Sequence, residues 1–271
     1  MTAVASSVPG APDPLVQVER DARGVVTLTL NDPARFNALG SAMLAALQSA
    51  INTVAADAGA RVLVLAAQGK AFCAGHDLKE MAANSDLPSH QALFAQCSRM
   101  MLSLQKLPVP VIAKVQGMAT AAGCQLVAQC DLAVASSAAS FATSGIRYGL
   151  FCSTPSVPLV RNLPIKKAME LLLTGDFMDA ATALDQGLLN RVAAPEALDA
   201  AVEQLVKSIL DKPRVAVAMG KALVYQQREL GVEAAYQLAG QTMAVNMQDP
   251  DAQEGVNAFA QKRQPRWKVQ A

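Results

Sequence analysis

The chain has 271 residues, 52% of them apolar and 17% charged, with a net charge of +1. That balance supports one large buried core and argues against disorder, and near-neutrality leaves no electrostatic footprint for nucleic acid or an anionic membrane. No apolar run reaches the roughly 20 residues of a spanning helix, and five cysteines with no C-x-x-C pair beside only two histidines predict free thiols and no metal site.

Residues 1–14 are rich in Ala, Ser and Pro and read as a flexible tail. They lack the basic start and apolar stretch of a signal peptide, and the arginines of a transit peptide, so a cytoplasmic protein is expected. Val25–Leu30 is β-branched and bounded by Gly24 and Pro33, which predicts a strand. Ser41–Ala56 has helical apolar spacing, with Ser41 the expected N-cap. Residues 61–66, apolar throughout after Arg61, predict a strand buried on both faces. A loop is expected over 68–76, then a polar, mobile stretch over 82–89, then a helix over 91–105. Pro108 and Pro110 end that helix and lead into a strand at Val111–Val115.

The run ATAAGCQL at 119–126 follows. Small residues crowd the turn, and a helical pattern then begins. The first turn of such a helix carries backbone N–H groups without intrahelical partners and partial positive charge. An anionic or polarised oxygen can sit there. Gln125 projects from this first turn, and its amide can hydrogen-bond but cannot titrate. Residues 131–135 predict another strand, and the alternation of strands and helices to this point predicts α/β layering around a buried sheet. Beyond it the chain is mostly helical. Helices are expected over 165–173, stopped by Gly175, and over 179–186, stopped by Gly187. A last strand is expected at Val192, then helices over 195–210, 213–227, 232–246 and 252–262.

Seven motifs stand in a fixed order: AFCAGHDLKE at 71–80, PVIAKVQG at 110–117, GCQL at 123–126, CDLA at 130–133, Phe141 to Gly149, AMELLLTG at 168–175 and GLLNRV at 187–192. In this order and spacing they resemble the crotonase superfamily, the enoyl-CoA hydratase/isomerase family, over residues 25–267. Details at 75–78, 119–126 and 149–155 resemble one branch of it in particular.

The resemblance implies an α/β fold, a crotonase-type spiral of ββα units over 15–205, followed by a C-terminal helical trimerisation region over 206–271. It implies an acyl-CoA thioester as partner and a homotrimer or a hexamer of two trimers. No cofactor is implied beyond the coenzyme A of the substrate. Two backbone N–H groups, those of His76 and Ala122, correspond to the family's oxyanion hole. Ala74, His76, Asp77, Leu78 and Lys79 correspond to its CoA-contacting strip, and Phe259 and Lys262 to a C-terminal pair that reaches the CoA of a neighbouring site. Lys262 and Arg263 are candidate phosphate contacts.

The family's hydratases use two glutamates, which correspond here to Gln125 and Gly145; the isomerase carboxylate falls near Ser153. Hydration needs carboxylates because the attacking water loses a proton and the α-carbon gains one. The family's lyase label therefore does not transfer automatically. His76 is the best remaining titratable group, as base or phosphate contact, against a packing role. Cys152 and Ser153 lie on a loop expected near the acyl pocket, with Cys152 a candidate inert thiol. Two functions follow as expectations: an acyl-CoA enzyme using the oxyanion hole, or a non-catalytic CoA-binding or assembly protein. On the second, Gln125→Glu with Gly145→Glu is expected to raise hydration.

Overall fold

The apolar run over 62–66 is continuous because both of its faces are covered. In the computed structural model, which describes residues 13–267, this run is the strand β3. Leu63 and Leu65 point into the main core, while Val62 and Val64 point into a second cluster with Val202 and Val206 from a later helix. The strand alternates sides at period two, as a pleated backbone dictates.

In chain order the hairpin β1 (Val16–Arg20) and β2 (Val25–Leu30) leads to α1 (Ser41–Ala56), then β3 (Val62–Ala67), β4 (Ala71–Cys73), α2 (Leu78–Ala83) and α3 (Leu87–Lys106). Next come β5 (Val111–Val115), β6 (Met118–Thr120), α4 (Ala122–Gln129), β7 (Leu132–Ser136), β8 (Ser140–Ala142), α5 (Ser153–Asn162) and α6 (Ile165–Thr174). The chain ends with β9 (Met178–Asp179), α7 (Ala180–Asp185), β10 (Arg191–Ala193), α8 (Leu198–Leu210), α9 (Arg214–Gln227), α10 (Val232–Asn246) and α11 (Pro250–Ala260). A six-stranded sheet runs β1-β2-β3-β5-β7-β10, and a four-stranded sheet runs β4-β6-β8-β9. From β3 to β8 the chain sends one strand to the large sheet, the next to the small sheet, and then one or two helices. Pairing is parallel except at β1–β2 and β8–β9, which are antiparallel, with Leu63 opposite Val111 and Ala119 opposite Phe141 in the parallel parts. This is the α/β spiral of ββα units that the resemblance implied, with a helical C-terminal region after it. Among the described residues no helix is long and apolar enough to cross a membrane.

Several local expectations change. Residues 1–12 of the expected tail lie outside the described residues. Ser41 is not the N-cap of α1. Gly40 holds that position without a side-chain bond, and the Glu80 carboxylate accepts the Ser41 N–H instead, at 3.0 and 3.2 Å. The stretch expected to be mobile over 82–89 contains the end of α2 and the start of α3, which Asp86 caps by accepting the Ser89 N–H at 2.9 Å. The loop expected over 68–76 contains β4, and the segment expected as a loop at Ser153 begins α5.

α9 is fixed to the spiral by a buried polar cluster. Lys221 is 7% exposed and lies 2.7 Å from the Asp131 carboxylate. It also donates to the Leu104 and Val109 carbonyls, both at 2.9 Å. Asp131 accepts the Tyr225 hydroxyl and the Val111 N–H, each at 2.7 Å. All three ammonium protons and both carboxylate oxygens find partners, the condition under which a buried ion pair is tolerated. Lys221→Met strands the Asp131 carboxylate, so it is expected to lower unfolding free energy by about 3 kcal/mol, measured by urea denaturation. A change within experimental error would show that the pair is not an anchor.

α4 packs directly on β4. A Cβ built on Gly123 would lie 2.1 Å from the Cys73 carbonyl oxygen. Gly123→Ala therefore forces helix and strand apart and is expected to cost about 1–3 kcal/mol, the usual range for overpacking. Differential scanning calorimetry would register this as a lowered midpoint; an unchanged midpoint rejects the contact.

Candidate functional site

Two turns meet beside the small sheet. The first follows β4, where Gly75 has φ +91°, a conformation that L side chains rarely adopt. A Cβ there would meet the Ala121 Cβ at 2.8 Å, the Thr120 carbonyl oxygen at 3.1 Å and the Ala122 nitrogen at 3.2 Å. Only glycine lets the two turns come this close. The second turn precedes α4. Ala121 sits at φ 50°, ψ −121°, outside the regions ordinary for alanine. It is held there by its N–H bond to Ala142 at 2.9 Å. The first bond inside α4 runs from Gln125 N–H to Ala121 at 3.1 Å, so the N–H groups of residues 122–124 have no acceptor within the helix.

Both turns open on one cavity of about 490 Å3, within the range of small-molecule sites. Ala74, His76 and Leu78 line it from the first turn, and Ala121 and Ala122 from the second. Gly145, Cys152 and Ser153 line it as well, with Tyr148, Phe151 and Phe177 among the aromatic groups. No Asp or Glu is among the described residues lining it.

The His76 ring is neutral and oriented. Its Nδ1 lies 3.0 Å from the Leu39 carbonyl oxygen, which can only accept, so Nδ1 carries the proton. Nε2 is then a bare acceptor, buried and without a partner among the described residues. The ring meets Phe94 edge-on with centroids 5.4 Å apart. Burial pushes its pKa below the ordinary value, against the Leu39 bond and the Glu80 charge, which act the other way.

The rest of the strip divides. Asp77 caps α2, accepting the N–H groups of Lys79 at 2.9 Å and Glu80 at 3.2 Å, and meets Arg35 at 3.3 Å. Asp77 and Lys79 do not line the cavity. Glu80 caps α1 as described above. Gln125 is 4% exposed and not part of the cavity wall, and its Oε1 is buried without a partner. Phe259 is exposed on α11 and Lys262 lies just past its end; neither reaches the cavity of its own chain. Arg263 pairs with Glu254 at 2.8 Å.

Gly145 is more than a vacant position. A Cβ there would lie 2.6 Å from the Leu150 carbonyl oxygen and 2.9 Å from the Cys152 sulfur. The chain has closed over the space that a second carboxylate would need. A glutamate at this position therefore requires Leu150 and Cys152 to shift. Cys152 fits its inert reading, since burial raises the thiol pKa against a bond from the Gly145 backbone. One pair escaped the sequence reading: the hydroxyls of Thr120 and Ser144 lie 2.6 Å apart in the cavity wall. Only their shared place beside Ala121 and Gly145 could have signalled it.

The family model described as enoyl-CoA hydratase/isomerase matches residues 20–270. The chain belongs to the enoyl-CoA hydratase/isomerase family. It is 43% identical to the mitochondrial enoyl-CoA hydratase domain-containing protein 3 of Rattus norvegicus, over 97% of this chain and 88% of the rat protein. A crystal structure of the human protein of that name superimposes with a TM-score of 0.89 at 43% identity, covering 93% of this chain and all of the other. A crystal structure of an enoyl-CoA hydratase from Mycobacterium smegmatis gives a TM-score of 0.93 at 60% identity, covering 95% of this chain and 100% of that one. The branch suggested by residues 75–78, 119–126 and 149–155 is the domain-containing protein 3 branch, in agreement with these matches. The cytoplasmic expectation is overturned, because the rat, mouse and human relatives of that branch are named mitochondrial. That expectation rested on N-terminal composition, which carries no physical constraint on compartment.

The buried, neutral His76 makes stability depend on pH. An unfolded chain takes up a proton near 6.5, whereas the folded ring, with its lowered pKa, resists it. Stability is present above 6.5 and is lost as pH falls from there through the folded value. His76→Asn keeps a donor for Leu39 and has no titration. Thermal midpoints measured against pH should fall less steeply below 6.5 for the variant than for the parent; parallel curves would place the titration elsewhere.

Proposed function

We propose that this protein binds acyl-CoA thioesters and holds the thioester oxygen with the backbone N–H groups of His76 and Ala122, while lacking the machinery for efficient enoyl-CoA hydration. The close approach of Gly75 to the Ala122 nitrogen carries this reading, because it sets two turns on one cavity wall. Fixed backbone dipoles in a water-poor pocket stabilise an enolate-like or tetrahedral oxyanion without reorganising. Ala74, His76, Leu78 and the polar pair Asp77 and Lys79 form the strip along which the CoA lies. The relatives' names and the family model support the substrate class.

Hydration is a different matter. General acid–base groups contribute typically 10²–10⁴-fold, and neither Gln125 nor Gly145 can supply one. With no carboxylate in the cavity wall, the site suits a reaction that needs oxyanion stabilisation alone, or binding without turnover. The closed space at Gly145 favours keeping a non-catalytic CoA-binding protein as the second reading. The site is completed in a homotrimer, singly or stacked as a hexamer. Neither α9 nor α10 has a fully buried residue in the single chain. Val232, Tyr236 and Met243 on α10 are exposed, a pattern that demands a covering partner. Phe259 and Lys262 would then face a neighbour's CoA.

Calorimetric titration with butyryl-CoA and a spectrophotometric assay of crotonyl-CoA hydration test the proposal together. Binding is expected, with hydration at least about 100-fold below that of a family member carrying both glutamates. Gln125→Glu with Gly145→Glu is expected to give no gain and a lower thermal midpoint, because the new side chain collides with Leu150 and Cys152. Absence of binding would overturn the thioester reading, and rapid hydration by the parent would overturn the catalytic one.

A further inference from the structure

The Thr120 and Ser144 hydroxyls are the least expected feature of the cavity wall. Thr120 is buried at the end of β6, two residues before Ala122. Ser144 opens a 3₁₀ turn and directly precedes Gly145. Their oxygens are 2.6 Å apart, and both residues line the cavity. Each hydroxyl has one proton to donate. In the mutual bond one proton is spent, and the other has no acceptor among the described residues. Met118, Leu150 and Phe151 line the same cavity, with Arg147, Tyr148, Ser153 and Thr154 among its other polar groups. Ser144 is half-buried, so the unspent proton is completed by water or by a ligand, and an apolar ligand group that displaces that water leaves it unmet.

Taking the thioester reading above as its basis, we infer that the Thr120–Ser144 pair selects acyl-CoA thioesters bearing an oxygen, hydroxyl or keto, on the acyl chain close to the thioester. Thr120 is two residues from Ala122 and Ser144 adjoins Gly145, and all four line one cavity; on this inference the pair meets the first carbons of a chain whose carbonyl rests at Ala122. A keto oxygen accepts the unspent O–H. A hydroxyl accepts it as well and can donate back to a free lone pair. A plain alkyl chain leaves the pair unsatisfied and is disfavoured. No bond is made or broken in this step; it is recognition alone, carried by two positioning side chains.

Calorimetric titration of the full chain with butyryl-CoA, acetoacetyl-CoA and both enantiomers of 3-hydroxybutyryl-CoA tests the inference. The parent is expected to bind an oxygenated ligand roughly 3- to 10-fold more tightly than butyryl-CoA, the value of one neutral hydrogen bond. In Thr120→Val and, separately, Ser144→Ala, that ratio is expected to fall to about one. Ser144→Ala serves as the second test should Thr120→Val not fold. A merely structural pair would shift all ligands alike and leave the ratio intact, which overturns the inference. Equal affinity of the parent for all ligands also overturns it, while leaving thioester binding standing. Failure of butyryl-CoA and of the oxygenated ligands to bind overturns both readings.

Discussion

Everything at this site depends on how closely two pieces of backbone approach. Gly123 lets α4 lie on the Cys73 carbonyl, and Gly75 lets the preceding turn sit against Ala121 and Ala122. A methyl group at either position would occupy space already filled. Close packing then transmits the constraint, because interiors with few voids hold their neighbours in place. Ala121 is kept in an unfavourable backbone conformation by β8 through its bond to Ala142. The start of α4 is thus fixed from two sides, by β4 beneath it and by β8 beside it. The two sheets of the spiral exist, in functional terms, to hold that helix terminus in position.

Parts of this arrangement are legible in the sequence and parts are not, for physical reasons. β3 is readable because burial on both faces demands an unbroken apolar run. α1 and α6 are readable because one buried face imposes helical spacing, and the stop at Gly175 shows as the left-handed φ of 68° that only glycine adopts freely. The strands β4, β6 and β8 have three residues each, too few to display a period, and they hide in stretches that read as loops. The cap that Glu80 gives α1 joins residues 39 positions apart, and the Tyr225 contact to Asp131 spans 94. Such pairings belong to the tertiary structure, and no local pattern announces them. Sequence reading found Ala122, His76 and Gly145 through family resemblance, but could not see that Leu150 had closed the space above Gly145.

That closure changes the meaning of a missing residue. A glycine in place of a glutamate can be an open vacancy, ready to be refilled. Here Leu150 and Cys152 lie where a Cβ at Gly145 would meet them, so a larger side chain enters only if they shift. The buried thiol, held protonated, contributes volume and no charge. No carboxylate is among the described residues lining the cavity, and burial lowers the pKa of His76, which favours its neutral ring.

A cavity that has fixed dipoles but no carboxylate can do only some kinds of chemistry. Backbone N–H groups oriented at a helix start favour negative charge on an oxygen, and low local polarity strengthens that preference. They cannot accept a proton, so on the proposed reading charge must develop on the thioester oxygen without an enzyme carboxylate to take up what is released. Hydroxyls such as Thr120 and Ser144 can orient a substituent yet titrate far from neutrality. Binding and orientation thus remain well provided for while proton transfer does not. The bare Nε2 of His76 is the exception; it is buried without a partner, on a ring that packs edge-on against Phe94 and is oriented by the Nδ1 bond to Leu39.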